Sequence, residues 1–194
     1  MGEIPKMIVV LSLICGISGF TLAGLRAATQ SRIEEQVLTY VQAPAMKHVL
    51  QGYDNDPIKD RKSFTLAETG QTITVFPALQ NGKLVGVAFE TAGKGYGGDI
   101  GVMVGFHPQN DRLSGIGITT LKETPGVGTR VTDVAFSSQF HNHSIDSIAL
   151  SAAGGDIDGV GGATISSTGT VSAVQEAVKI YQAIKNDITS SWNM

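Results

Sequence analysis

A chain of 194 residues is long enough for one domain of ordinary size with a short additional segment. The formal charge of −3 and the lack of a basic run interleaved with aromatic residues argue against a nucleic-acid-binding surface. Cys15 is the single cysteine, so a disulfide framework within the chain is excluded, and cysteine usage does not identify the cellular compartment.

The first predicted element is an uncharged, largely apolar run from Met7 to Leu25. At roughly 1.5 Å per residue, a helix of this length spans about 28 Å, close to the roughly 30 Å hydrocarbon core of a bilayer. A cleaved signal peptide is the alternative, but no clear small-residue cleavage site follows the apolar core. We therefore expect residues 1–28 to form a single transmembrane anchor. Lys6 on one side and Arg26 and Arg32 on the other say little about its orientation.

Residues 29–80 are predicted to hold a helix, a linker and the first strand, and residues 81–194 the core of the folded domain. The spacing of apolar residues favours a helix over Ala27–Tyr40. Four short segments bounded by turn residues, most of them rich in β-branched residues, predict strands. These are Thr72–Phe76, Leu84–Glu90, Ile100–Phe106 and Leu113–Thr120. Asn81-Gly82 and Asn110-Asp111 mark turns between them, so the sheet is expected to be antiparallel.

Three further elements complete the prediction. Val131–Phe140 is expected to be a helix or a helix-like turn, and Ser147–Ala152 a short strand. Thr168–Ile188 places its apolar residues at helical spacing on one face, which is typical of a helix packed on a core. The predicted fold class is α+β, a small antiparallel sheet packed with helices and preceded by one transmembrane helix.

The most informative segment is Asp158-Gly-Val-Gly-Gly-Ala-Thr164, which comes just before this last helix. Its glycines allow positive φ and close backbone approach, and the start of a helix offers unpaired N–H groups that suit a phosphate. The geometry therefore favours a phosphate held at, or bonded to, Thr164. The alternative is an ordinary glycine turn, with Ser166, Ser167 and Thr168 as N-cap residues that complete the helix start.

This segment resembles the flavinylation motif of the FMN-binding domain family, in which a flavin transferase joins the FMN phosphate to the threonine hydroxyl. The match covers Asp158, Gly159, Gly162, Ala163 and Thr164, while Gly161 stands where the family usually has Ser or Thr. A second block, Lys122-Glu-Thr-Pro-Gly-Val-Gly128, resembles the family segment that lies against the flavin. The resemblance extends over nearly the whole chain. It is strongest to the G subunits of Rnf electron-transport complexes and more distant to the C subunits of sodium-translocating NADH:quinone reductases.

The resemblance implies FMN attached to Thr164 through a phosphoester, with Ser166 as the second choice of acceptor. The other residues expected to bind the cofactor are Gly162, Ala163, Ser166, Ser167, Glu123, Thr124, Gly126, Gly128 and Asp158. Asp158 either stabilises the turn through its side chain or is recognised by the transferase, with a metal ion present during transfer. The loop from Glu123 to Gly128 is expected to present backbone N–H groups to the ring, and Tyr96 is a candidate stacking partner.

The function expected from the resemblance is electron relay by covalent FMN in a membrane-bound, ion-translocating ferredoxin:NAD oxidoreductase. Its partners are then the other subunits of that complex, the flavin transferase during maturation, and membrane lipid. The globular domain is expected on the extracytoplasmic side of the cell membrane. Two alternatives stay open, a stand-alone extracytoplasmic flavoprotein reductase and a flavin-free structural subunit. We assign no independent catalytic residue, and no metal to His141 or His143, because useful partner ligands are missing nearby in the sequence.

Overall fold

The computed structural model describes residues 2–67 and 69–192. The chain forms two compact units, Met1–Tyr40 and Val41–Met194. The first consists of helix α1, Glu3–Val37, whose apolar side chains are exposed along its length. Within the helical run Glu3–Val49, an 18-residue window reaches a mean hydropathy of 2.3, and no other helix among the described residues is both long and apolar enough to cross a membrane. Its length and composition suit the predicted anchor.

The helix predicted over Ala27–Tyr40 is not separate from the apolar run, because α1 continues from that run to Val37 without interruption. A π-helical turn, Leu38–Gln42, follows it. Helix α2, Ala43–Val49, was not predicted from the sequence. Pro44 lies in its first turn, where the missing N–H of proline costs no hydrogen bond. Ala45, Met46 and Val49 are buried, so packing stabilises this short helix.

The second unit is built on a five-stranded sheet in which every strand pairs antiparallel with the next one in sequence. The strands are β1, Lys62–Thr65; β2, Thr72–Gln80; β3, Lys83–Lys94; β4, Asp99–His107; and β5, Arg112–Thr120. The four predicted strands are confirmed as β2 to β5, and β1 is an additional edge strand. The turn at Asn81-Gly82 is also confirmed, because both residues adopt positive φ, +51° and +75°, as a tight hairpin requires.

Helices cover both faces of the sheet. Helix α4, Thr164–Ser191, lies on one face, where Tyr181 stacks on Phe106 of β4 with ring centroids 4.4 Å apart. On the other face, a methyl group on Gly105 would come within 3.0 Å of Val49 in α2. Since neighbouring residues of a strand point to opposite faces, α2 and α4 enclose β4 between them. The fold is therefore α+β, as predicted.

The segment between β5 and α4 is mostly irregular. The predicted helix-like turn over Val131–Phe140 is a series of short helical pieces: Gly128–Thr132, helix α3 over Val134–Ser137, and Ser138–Phe140. The strand predicted over Ser147–Ala152 is wrong. Leu150 makes one isolated parallel bridge to Ile157, and a 3-10 turn follows at Ser151–Ala153. Ile148 is nevertheless buried in the main core, so its apolar character reflects packing and not strand pairing.

Two glycines let the start of α4 approach the end of β3. A methyl group on Gly93 would lie 1.9 Å from the backbone oxygen of Gly169, and one on Gly169 would lie 2.4 Å from that of Lys94. The two backbones are therefore in direct contact, with no room for a side chain between them. Thr91, two residues before Gly93, donates a hydrogen bond of 2.8 Å to the backbone oxygen of Ala173. These contacts fix the beginning of α4 beside one end of the sheet.

Candidate functional site

An open pocket of about 370 Å³ lies at this end of the sheet. It is formed where three segments meet: the β3–β4 connection, the loop that follows β5, and the first turn of α4. The lining residues are Tyr96, Glu123, Thr124, Val127, Gly128, Gly162, Ala163, Thr164, Ile165 and Ser166. In an antiparallel sheet, the C-terminal end of β3, the N-terminal end of β4 and the C-terminal end of β5 lie at the same end of the sheet. Segments that are distant in sequence therefore meet here.

Glu123 joins the three segments through hydrogen bonds. Its Oε2 atom accepts a bond of 2.5 Å from the Ser166 hydroxyl in α4, and its Oε1 atom accepts one of 2.9 Å from the backbone N–H of Gly97. Only 7% of the Glu123 surface is exposed. The Ser166 bond lowers the pKa of this carboxyl below its usual range, although burial acts in the opposite direction. Glu123 is therefore a buried carboxylate that stays ionised at neutral pH.

Close packing around Glu123 requires glycine at several positions, including Gly128 and Gly97. A methyl group on Gly128 would lie 2.7 Å from both the Cβ atom of Glu123 and the Oγ atom of Ser166. One on Gly97 would lie 1.9 Å from the backbone oxygen of Lys122. The glycines of the Lys122–Gly128 block and of the Gly95-Tyr-Gly-Gly98 segment thus allow the two loops to pack against each other and against α4.

Thr164 is the first residue of α4, and it is exposed beside the pocket. In the preceding turn, Gly162 adopts the left-handed conformation, with φ +79°. The first i→i−4 bond of this helix is donated by Ser167 to the Ala163 oxygen, at 2.9 Å. The N–H groups of Thr164, Ile165 and Ser166 precede that bond, so they have no acceptor within the helix. A hydroxyl and a set of helix N-terminal donors therefore lie together, an arrangement that suits a phosphate.

The prediction that Ser166, Ser167 and Thr168 cap this helix is wrong, since the helix begins before them and the N-cap, Ala163, makes no side-chain bond. Ser166 is held by Glu123, and only 2% of its surface is exposed. Ser167 is fully buried. Its Oγ atom donates to the Ala163 oxygen at 3.0 Å and accepts from the Val160 N–H at 2.9 Å. Thus Ser166 lines the pocket, whereas Ser167 lies outside the pocket lining and stabilises the turn through its two backbone hydrogen bonds.

Asp158 and Gly126 lie outside the pocket lining. The Gln139 side chain holds the Asp158 backbone, because its Oε1 atom accepts from the Asp158 N–H at 2.7 Å and its Nε2 atom donates to the Asp158 oxygen at 3.1 Å. The exposed Asp158 carboxylate makes no hydrogen bond within residues 2–67 and 69–192, so the turn is not stabilised by that side chain. Asp158 lines a second cavity of about 180 Å³, together with Arg130 and Asp133.

The loop after Glu123 uses several of its N–H groups internally. The Gly126 N–H donates to the Thr129 hydroxyl at 2.9 Å, and the N–H groups of Val127 and Thr129 donate to the Thr124 oxygen at 3.2 and 3.3 Å. These three donors hold the loop in shape and are committed within it. Thr124 and Gly128 line the pocket, at the two ends of the loop.

Sequence reasoning missed Val127 and Ile165 as pocket residues. They are 43% and 53% exposed, and Tyr96, which lines the same pocket, is 74% exposed. Among the described residues of the second unit, only Val134 joins them as a large, exposed hydrophobic residue. The sequence signal that could have identified them is an apolar residue within or directly beside a glycine motif, and their exposure in the structure is typical of a binding surface.

The sequence comparisons define the class of protein. Residues 95–179, which include all three pocket-forming segments, match the FMN-binding domain family. The fold is similar to crystal structures of NqrC from Shewanella oneidensis and of the C subunit of the sodium-translocating NADH-quinone reductase from Parabacteroides distasonis, with TM-scores of 0.55 and 0.52 at 23% and 22% identity. The two comparisons cover 71% and 70% of this chain, and 75% and 71% of the solved chains. Residues 95–179 of the second unit thus match the FMN-binding domain family, and the unit has an NqrC-like fold.

Curated relatives place the whole chain in a particular family. It is 31% identical over 205 residues to the G subunit of the ion-translocating oxidoreductase complex of Pseudoalteromonas atlantica, with 98% of this chain and 94% of the relative covered. The corresponding protein of Methanosarcina acetivorans is 28% identical over 184 residues, covering 93% and 96% of the two chains. The chain belongs to the family formed by the G subunits of ion-translocating oxidoreductase complexes.

Proposed function

We propose that this protein carries FMN on the Thr164 hydroxyl through a phosphoester bond and relays electrons between partner subunits of a membrane-bound Rnf-type complex. The observation that carries this proposal is the position of Thr164. It is exposed at the first residue of α4, beside a pocket and beside helix N–H groups without intrahelical acceptors. Each of these features suits a phosphate at that hydroxyl.

The electrostatics of the pocket favour a covalent bond over reversible phosphate binding. None of the ten lining residues is Lys, Arg or His, and Glu123 contributes a negative charge. The helix N-terminus is worth typically 0.3–1 kcal/mol for an anion at an exposed position, roughly a fivefold gain in affinity at most. That is too little to retain a phosphate compound at low concentration. A phosphoester makes retention independent of affinity.

The remaining lining fits a flat ring with an apolar edge and a polar edge. Val127, Ile165 and Tyr96 supply apolar surface, while Thr124 and the backbone at Gly128 are polar. A volume of about 370 Å³ lies within the range of roughly 300–1,000 Å³ typical of cofactor pockets. When bound, FMN would supply the electron-transfer chemistry. Thr164 would hold the phosphate end, and Val127, Ile165 and Tyr96 would limit the access of water to the bound ring.

The wider role rests on the relatives and on α1. One relative, from Clostridium ljungdahlii, is the G subunit of a proton-translocating ferredoxin:NAD(+) oxidoreductase complex, 25% identical over 173 residues. We infer that this chain works with the other subunits of such a complex, anchored by α1 with its FMN domain on the extracytoplasmic side. A flavin transferase attaches the FMN during maturation. Asp158, which is exposed on the same turn and has a free carboxylate among the described residues, is available for recognition by that enzyme.

The attachment is tested by replacing the hydroxyl of Thr164 while keeping its shape. Thr164→Val, made with the flavin transferase, is expected to lose flavin fluorescence in a denaturing gel, because only covalent flavin survives denaturation. Thr168→Val is the matched control, since Thr168 is exposed one helical turn later on α4. It should keep the fluorescence. Fluorescence retained by Thr164→Val would refute the assignment and direct attention to Ser166.

The relay role requires the assembled complex. With Thr164→Val incorporated, the complex should still assemble, because the change is small and exposed, but electron flow from ferredoxin to NAD should collapse. Thr168→Val again serves as the control. Electron flow at the wild-type rate without this flavin would show that the domain is structural.

A further inference from the structure

The buried charge of Glu123 has no cationic partner among the described residues. Its two oxygens accept hydrogen bonds from Ser166 and Gly97, which are neutral, and no ion pair to it occurs in residues 2–67 and 69–192. Burying a carboxylate without a cation is costly. A glutamine of the same length could accept the Gly97 N–H through its oxygen and donate to the Ser166 oxygen through its amide. The hydrogen bonds therefore do not require the charge.

Glu123 belongs to the lining of the pocket. It is the only acidic side chain among the ten lining residues, and 7% of its surface is exposed. Because Glu123 is largely buried and the pocket lining holds no lysine or arginine, its field is screened less than that of a surface carboxylate.

We propose that the Glu123 carboxylate places a fixed negative charge beside a flavin held in this pocket and thereby lowers the reduction potential of that flavin. This inference rests on the proposed attachment of FMN. Uptake of two electrons and one proton by oxidised FMN leaves one additional negative charge on the ring. A fixed negative charge nearby disfavours that product relative to the oxidised ring and so makes the flavin a stronger reductant. In the complex, the two electrons would arrive in two successive transfers from a one-electron carrier of a partner subunit that is reduced again between them, and the proton would come from solvent.

The Ser166 hydroxyl and the start of α4 complete this arrangement. Ser166 holds Glu123 against the helix N-terminus, whose positive end stabilises the ionised form of the carboxylate. The pKa of Glu123 is lowered, first by this bond. The charge is consequently present throughout the physiological pH range, and its effect on the flavin does not depend on small changes in pH.

The test compares two glutamate-to-glutamine variants of the full-length chain, made with the flavin transferase and purified in detergent. Glu123→Gln removes the charge in the pocket. Glu176→Gln makes the same change on the exposed face of α4, where Glu176 pairs with Lys179 at 3.5 Å. It lies 12 residues after Thr164, roughly 18 Å along the helix. The flavin potential is measured by titration with dithionite and mediators, following flavin absorbance.

Glu123→Gln is expected to increase the ratio of reduced to oxidised flavin about tenfold at a fixed applied potential, a rise of about 30 mV for a two-electron couple. Glu176→Gln should match the wild type. An unchanged potential in Glu123→Gln, with flavin attached, overturns the inference but leaves the proposed attachment intact. Absence of covalent flavin from the wild type instead refutes the proposed function.

A second neutral variant, Glu123→Met, tests the same change if Glu123→Gln does not fold. It has similar length, lacks the charge, and is expected to raise the potential in the same direction. Glu123→Asp, which keeps the charge on a shorter side chain, should retain a potential closer to that of the wild type. If neither neutral variant yields folded protein, the charge is needed for the fold itself and the tuning role is withdrawn.

Discussion

Gly169→Ala tests the backbone contact that fixes the start of α4 beside the pocket. The added methyl group would lie 2.4 Å from the Lys94 oxygen, 2.9 Å from the Lys94 carbonyl carbon and 3.2 Å from the Gly95 nitrogen. Ordinary van der Waals contacts begin at 3.4 Å, so the helix and the strand must separate by about 1 Å. All three atoms belong to the backbone, and a rotamer change cannot relieve the clash.

Two opposing effects decide the size of the loss. Alanine is favoured over glycine inside a helix by about 1 kcal/mol. Overpacking typically costs 1–3 kcal/mol and sometimes more, and a clash with backbone belongs at the upper end. We therefore expect a net loss of about 2 kcal/mol, which corresponds to a decrease in Tm of roughly 4–8 °C for a domain of this size.

The assay is thermal unfolding of the full-length chain in detergent, followed by near-ultraviolet circular dichroism. Gly161→Ala is the matched control, because a methyl group there meets no atom within 4 Å and its φ is not in the left-handed region. Its Tm should stay within about 1 °C of the wild type or rise slightly. A Tm for Gly169→Ala equal to or above that of the wild type would refute the tight contact and the fixed position of the helix start.

Three further predictions concern the turn and the opposite end of the domain. Gly161→Ser supplies the hydroxyl that is usual in the flavinylation motif. Since the site has open space, this variant should carry as much covalent flavin as the wild type. In-gel fluorescence well below that of the wild type would contradict this. Thr164→Ser keeps a hydroxyl at the helix start and should still be flavinylated, whereas complete loss would mean that the methyl group is also needed. Asp111 accepts hydrogen bonds of 2.6 Å from Lys185 and 3.0 Å from Tyr181, so Asp111→Asn should lower the Tm at pH 7. The loss should correspond to at most about 1 kcal/mol, because Asp111 is half exposed. Asparagine tolerates the φ of +52° at this position, so the change is electrostatic. The Lys185 bond lowers the pKa of Asp111, so its contribution is complete above the ordinary carboxyl pKa of about 3.9 and is lost as pH falls through the lowered native value. The Tm difference between wild type and Asp111→Asn should therefore disappear in strong acid, and a difference that persists there would contradict this explanation.

The strands and the long helices could be predicted because their residues carry local signals. The segments that became β2 to β5 are bounded by turn residues, and the Asn81-Gly82 dipeptide specifies its hairpin directly. Strand β1 carried no such signal, since it is a short edge strand in which three of four residues are exposed. Helix α2 is defined by packing on the sheet and contains a proline that weakens its local signal.

The errors around the site have one physical origin, tertiary contacts that override local preference. Serines near a helix start favour the N-cap, yet Ser166 and Ser167 lie inside α4 because Glu123 and the Val160 N–H bind their hydroxyls. The Ser147–Ala152 segment has apolar residues with strand-like character but finds only a single bridging partner. The hydrogen bonds of the Glu123 side chain could not be predicted from the sequence, because one of their partners, Gly97, is 26 residues away.

The intact mass of the full-length chain made with its flavin transferase, combined with fragmentation of the modified peptide, shows whether Thr164 carries FMN. The expected mass is that of the polypeptide plus FMN minus one water. Trypsin should place the modification between Arg130 and Lys179, and the fragment ions should place it on Thr164. An unmodified mass, or FMN located on any other residue, would contradict attachment at Thr164.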